Sequence, residues 1–411
     1  AYIQDKIELQ DIIMNIGLRF DYFDANYVVP ADPDDINIYD PFKYGHIYKE
    51  YDETLASTLP PQEFTDYING LEEYTPEERK SFMHKKVDPK MQISPRLGIA
   101  YPITDRGVIH FSYGHFFQMP TFQYLYARPD FVINSGGGRF IIGNADLRAQ
   151  RTTQYEIGLQ QQLGTNIGID VTMFYRDIRD WVGTSPPVET FRSGVLYSPY
   201  ENKDYANVRG ITFKMDQRFT RQFSFQVDYS WMIAEGTYSD PNDAFNDANA
   251  EEEPQKTLIP MDWDQRHTLN AQLIYRVKGW TASMIGVYRT GLPYTPSFSR
   301  GAFVGGNQLT GLPENSSSRP NVYFVDFRLE KQWRFGNGMT IGLFTFIDNL
   351  FDTRAITNVY SDTGAPDYTT NPKLSMVNYD ERRVSTPEDF FTHPTWYISP
   401  RFIRLGLRFG F

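Results

Sequence analysis

Apolar and polar residues alternate with a period of two along most of the chain. Between Phe223 and Trp231, the residues Phe223, Phe225, Val227, Tyr229 and Trp231 fall on one face. Ser224, Gln226, Asp228 and Ser230 fall on the other. The same division holds for Met14 to Tyr22, Ile169 to Arg176 and Leu269 to Arg276. A period of two predicts β-strands, each with one apolar and one polar or small face. Thirteen such segments begin near Tyr2, Ile12, Gln92, Val108, Thr153, Ile167, Val208, Phe223, His267, Trp280, Val322, Met339 and Phe402. Most are long enough for the roughly 9 to 11 residues that a tilted strand needs to cross a bilayer.

The connections alternate strictly between short and long. Gln10-Asp11, Thr104 to Gly107, Leu163 to Asn166, Thr220 to Gln222, Lys278-Gly279 and Gly336 to Gly338 read as hairpin turns. Between them lie Asp24 to Met91, Gln118 to Thr152, Trp181 to Asn207, Glu235 to Arg266, Thr290 to Asn321 and Asp352 to Arg401. Bacterial membrane barrels place short turns in the periplasm and long loops outside. A soluble sandwich has no reason to sort its loops by parity. The predicted fold is therefore all-β, a transmembrane antiparallel β-barrel with apolar residues towards lipid and polar ones towards water.

Composition supports this picture. No stretch approaches the roughly 18 apolar residues of a spanning helix, which excludes a helical membrane protein. Aromatics make up 16% of the 411 residues, as girdles at two membrane interfaces require. The net charge of -11 argues against nucleic acid as a partner. There is no Cys, which suits an envelope protein.

The last strand alternates Ile403, Leu405, Leu407, Phe409 and Phe411 with Arg404, Gly406, Arg408 and Gly410. A terminal Phe411 on the lipid face resembles the signal that outer-membrane barrels show to their assembly machinery. If the last strand descends to the periplasm, every odd-numbered segment descends, and Ala1 starts at the outer side. Single-chain bacterial barrels have an even strand number. The odd count and the lack of a signal peptide predict that further strands lie upstream of Ala1.

Several short motifs, in order, resemble TonB-dependent outer-membrane receptors over essentially the whole chain. Ala1-Tyr2-Ile3-Gln4-Asp5 with Ile16 to Asp21 resembles one strand pair of that family. Ser94-Pro95-Arg96-Leu97-Gly98 and Tyr113-Gly114 resemble the next hairpin. Asn144 to Leu147 with Tyr155-Glu156-Ile157-Gly158 resembles a third segment, with Ala145 in place of the usual Pro. Asp348-Asn349-Leu350-Phe351-Asp352 resembles the motif shortly before the last strand. Trp263 to His267 and Asn358 to Gly364 resemble the Bacteroidota branch, including Oar-like receptors with a carboxypeptidase-regulatory-like N-terminal domain. The resemblance implies a barrel of about 22 strands around a plug. Residues 1–411 would then form its C-terminal portion, the last 13 strands, with the plug and first strands upstream.

Candidate chemistry is sparse. Glu235, Asp240, Asp243, Asp247, Glu251, Glu252 and Glu253 form an acidic loop. It lacks a calcium-loop pattern and reads as solvated, as do Asp32, Asp34 and Asp35, although a loop-bound Ca²⁺ stays open. Ser135 to Gly138 lacks the Lys-Ser/Thr and helix of a phosphate loop and reads as an external loop. No two of the six His stand at metal-ligand spacing on a helix, and His110 and His115 fall on opposite strand faces. No nucleophile elbow or acid pair stands out, so no enzyme, catalytic residue or cofactor is expected. Thr75-Pro76-Glu77-Glu78 predicts a helix start within the largest connection.

What the resemblance implies is active import of an external peptide, glycan or metal chelate across the outer membrane. Energy would come from the TonB complex through the upstream part, and a surface lipoprotein lid or other subunits are further partners. A passive porin-like channel and a receptor or scaffold barrel are the alternatives. Aromatic loop positions Phe122, Tyr124, Tyr126, Phe131, Tyr238, Phe245 and Trp263 are candidates for ligand contact, or else for an upper girdle or loop cores. Arg19, Asp21, Asp170, Arg176, Asp228, Arg404 and Arg408 are expected to face the lumen, pairing across it or holding the plug.

Overall fold

The computed structural model describes residues 1–134, 136–220, 222–250, 257–297, 312–336, 338–370 and 391–411. Thirteen strands form one antiparallel wall in which each pairs with the next in sequence. They are β1 (Tyr2–Glu8), β2 (Ile13–Phe23), β3 (Lys90–Thr104), β4 (Gly107–Gln118), β5 (Gln150–Leu163), β6 (Ile167–Thr184) and β7 (Val195–Thr220). Then follow β8 (Phe223–Gly236), β9 (His267–Val277), β10 (Trp280–Arg289), β11 (Val322–Arg334), β12 (Thr340–Asp348) and β13 (Phe402–Gly410). Among the described residues β1 and β13 do not pair with each other, so the wall is an open sheet. No helix among them is long and apolar enough to cross a membrane.

The register keeps the two faces apart from strand to strand. Gly158, Thr172, Thr212, Ser230 and Thr268 lie side by side across β5 to β9. One position along, Ile157, Met173, Ile211 and Trp231 do the same. A slip of one residue would put every apolar side chain on the wrong face, so alternation fixes the pairing. Among the described residues the apolar face is left open: Leu405 is 72% and Leu407 62% exposed. In water such a face would aggregate; a bilayer covers it.

Aromatic rings gather at both ends of that face. Near the short turns lie Phe223, Tyr275, Trp280 and Trp333, with the Lys331 ammonium 5.1 Å from the Trp280 ring centre and 5.8 Å from that of Trp333. Towards the long connections Tyr113, Tyr155 and Tyr175 form a cross-strand row with ring centres 5.1 and 6.4 Å apart. The two-residue turn Lys278-Gly279 has φ of 45° and 79°, the left-handed pair that continues the twist of two antiparallel strands. Gly279 suits the second position because it has no Cβ to clash.

The hydrophobic core lies in the long connections and in the strand ends that run into them. Ile36, Phe131, Ile133, Ile142, Val195 and Tyr197 form one buried cluster. Leu125, Leu147, Val182 and Tyr200 form a second, and Ala206, Val208, Ala234 and Met261 a third. These clusters explain two departures from the alternation pattern. Trp181 to Asn207 is not one long loop: β6 and β7 run on into it and leave only residues 185–194 between them. Their extensions are stabilised by the first two clusters, and bulges between Asn202 and Ala206 break the alternation there. Residues 138–142 are not irregular, since Gly138–Ile142 pairs in parallel with the start of β7. Ser135 lies outside the described residues.

The largest connection carries helices, among them Pro61–Asn69 and Pro76–Met83. The second starts with a capping box: the Thr75 hydroxyl accepts from Glu78 N, and the Glu78 carboxylate accepts from Thr75 N. Asp35, expected as a solvated acid, is buried. Its carboxylate accepts from Phe42 N and Lys43 N and stands 2.8 Å from His46 Nδ1. A short carboxylate that ties a loop onto its own backbone amides is better placed inside than out.

Candidate functional site

The polar face of the wall carries separate charged and polar pairs, on strands that bring like positions into register. Arg19 pairs with Asp21 two residues on, at 2.8 Å. Asp170 accepts from Gln160 Nε2 on the neighbouring strand and from Thr172 Oγ1, both at 2.9 Å. Asp228 accepts from Gln226 Nε2 at 2.9 Å. Arg404 meets Asp348 at 3.0 Å and Arg408 meets Glu330 at 3.6 Å. The Arg176 guanidinium lies 5.1 Å from the centre of the Phe174 ring. All seven sequence candidates thus sit on one face. Each of these contacts lies within one strand or reaches a strand one or two places away.

Towards β13 the face alternates cations and rings. Phe344 and Phe346 stack with centres 4.9 Å apart. Arg328 lies 5.1 Å and Arg404 5.7 Å from the centre of the Phe346 ring, and Arg408 lies 5.9 Å from that of Phe344. Rings held this way fix guanidinium planes, and Arg404 and Arg408 also pair with Asp348 and Glu330. Alternation in the sequence picks out Arg404 and Arg408 but not Arg328. Phe344 and Phe346 escape it, because they break the expectation that rings belong on the lipid side.

The loop aromatics divide. Phe131 is buried in the first cluster, and its backbone φ of 52° is held by that packing. Tyr238 is buried and donates to Asp247 at 3.2 Å. Tyr124 packs edge-on against Tyr200 at 4.9 Å, and Tyr126 donates to Ala25 O at 3.0 Å. Phe245 is half-buried on the helix Asp243–Ala250. Phe131 thus fills one loop core, Tyr124 and Tyr126 pack against a second, and Tyr238 and Phe245 are wholly and partly covered. Phe122 and Trp263 remain open to solvent at 64% and 40% exposure.

An acidic node joins two long connections and was not legible beforehand. Asn315, buried and at φ 57°, donates from Nδ2 to Ser239 Oγ, Pro260 O and Asp262 Oδ1 at 3.2, 2.9 and 2.7 Å. Next to it, burial and then Asp243, Asp262, Asp247 and Asp240 push the Glu314 carboxyl up to about 8. Burial pushes Asp243 up to about 6, with Asp240, Asp262 and Asp247 adding to it. Among the described residues no three His, Asp or Glu are gathered as a metal's ligands would be, and Glu251, Glu252 and Glu253 lie outside them.

The sign of the pH effect follows. An acid whose folded pKa is raised binds its proton more tightly folded than unfolded. Its folded form therefore loses stability as pH climbs from the unfolded value to the folded one. For Glu314 that window runs from about 4.5 to about 8. We expect protease protection of residues 237–250, 257–264 and 312–320 to fall as pH rises through it. Glu314→Gln should flatten most of that change; an unchanged profile in the variant would assign the effect elsewhere.

The family model described as TonB dependent receptor-like, beta-barrel matches residues 1–350. No curated protein matches the chain. Solved structures that match include the ferric-catecholate import receptor Fiu from K12 E. coli, at 16% identity over 88% of this chain and 41% of that one, with a TM-score of 0.47. The FrpB iron transporter from Neisseria meningitidis matches at 16% identity over 86% and 41%, with a TM-score of 0.48. The outer membrane transporter YddB from Escherichia coli matches at 11% identity over 87% and 50%, with a TM-score of 0.49. The chain spans from about two fifths to half of the length of these structures.

Proposed function

The chain belongs to the TonB-dependent receptor-like β-barrel family and is integral to the outer membrane, and from that premise we propose that it forms the C-terminal part of the wall of an active importer. The observation that carries this reading is the family match over residues 1–350, on a wall with one lipid face and one charged face. Its ligand is an external peptide, glycan or metal chelate, met first by the connections that hold Phe122 and Trp263. The charged face, including Arg328, Arg404 and Arg408, lines the path and receives a plug supplied from upstream. Drive comes from the TonB complex through that upstream part. Import in this form asks no catalytic role of any described residue.

The test is electrical and uses the full-length protein in a planar bilayer. A plugged importer gives no steady open conductance until the plug is loosened with denaturant. Stable ohmic conductance of the untreated protein would overturn active import in favour of a passive channel.

A further inference from the structure

The largest connection carries a second surface, apart from the wall. Tyr44 lies at the centre of a ring cluster, with Tyr48, Tyr51 and Phe64 at 6.2, 5.7 and 5.4 Å, and Tyr67 lies 6.3 Å from Tyr51. The cluster is partly open: Tyr44 is 41% exposed, and Tyr48, Tyr51, Phe64 and Tyr67 are half-buried. It is nevertheless rigid. Arg79, buried beneath it, donates to the carbonyls of His46, Ile38 and Ile47. Lys49 ties Glu72 to Glu78, and the Tyr67 hydroxyl accepts from Asp52 N. An exposed aromatic surface held in place by buried hydrogen bonds is preorganised for contact.

Charge selects what it contacts. Residues 44–83 contain nine acidic and three basic side chains, and two of the three basic ones, Lys49 and Arg79, are engaged within the lobe. Glu53, Glu63 and Asp66 flank the rings and have no cationic partner among the described residues. Tyrosine faces attract ammonium and guanidinium groups, and the carboxylates around them add to that field. A neutral glycan would use the rings and leave the carboxylates unused.

We propose that the lobe of residues 44–83 is a docking surface for a basic, lysine- and arginine-rich segment of a partner protein at the outer surface. This rests on the reading that the long connections face outwards, but not on transport.

The test titrates a short synthetic peptide of Lys, Arg and Trp onto the full-length protein in detergent, at low and at physiological salt. Binding is expected, and it should weaken as salt screens it. The pair Tyr44→Ser with Phe64→Ser should weaken it about tenfold, as loss of central anchors does. Because that pair could loosen the lobe, Glu63→Lys with Asp66→Lys, both exposed, should give a similar loss with the rings intact. Absence of binding at low salt, equal binding by the charge-reversed protein, or preference for a neutral oligosaccharide would each overturn the proposal. Detergent exposes both sides of the wall, so failed docking here and failed import in the bilayer are separate outcomes.

Discussion

Asn349→Ala should lower the stability of the folded wall by about 2–4 kcal/mol, from three lost hydrogen bonds and a strained backbone. Asn349 is buried at φ 52°. Its Nδ2 donates to Thr353 O and Ser399 O at 2.9 and 3.0 Å, and its Oδ1 accepts from Thr353 N at 2.9 Å. Three residues on, Asp352, also at positive φ, accepts from Arg401 N at 2.9 Å. Together they clamp the chain that leaves β12 to the chain that begins β13. The motif resembled by residues 348–352 thus has a mechanical reason: it sets where the last strand starts. A urea titration in lipid, with the folded fraction read from gel mobility, measures the loss. Asn349→Gly should lose less, by roughly 1 kcal/mol, because only the bonds go and not the strain. Equal stability of all three proteins would refute the clamp.

Leu273→Arg should be as damaging, at about 2–4 kcal/mol, because it places a guanidinium on the lipid face near the middle of a strand. Leu273 lies on β9 opposite Phe225 and Met284, with 43% exposure and no protein cover. Its neighbour Gln272 points to the other face, opposite Gln226 and Ile285. Gln272→Arg should therefore stay within about 0.5 kcal/mol. The contrast between adjacent residues is the measurement that matters. If both variants unfold at the same urea concentration in lipid, the assignment of the two faces is wrong.

Most of the wall was legible because its rule is local. Twelve of the thirteen strands begin within a few residues of where alternation places them, since lipid on one side and water on the other impose a period of two. The start of β7 was not, because Val195 to Ala206 is stabilised by neighbours from residues 124–147, and packing of that kind leaves no period in the sequence. The same holds for the loop aromatics. Phe131 and Phe122 look alike in sequence, yet one is buried by Ile36 and Tyr197 and the other is open. Glu314 and Asn315 became visible only when two distant connections met. That Arg19, Asp170 and Arg404 share one face followed directly from parity.

The placement of the apolar clusters in the connections has a thermodynamic consequence. The molecule answers to two solvents. Its outer caps are held by expulsion of water, so cooling and modest urea should loosen them while the sheet stays intact. The sheet is held by hydrocarbon, so bilayer thickness and acyl composition should shift its stability and leave the caps alone. Native-state hydrogen exchange would resolve the two as separate cooperative units, with the extensions of β6 and β7 following the caps although their backbone is continuous with the sheet.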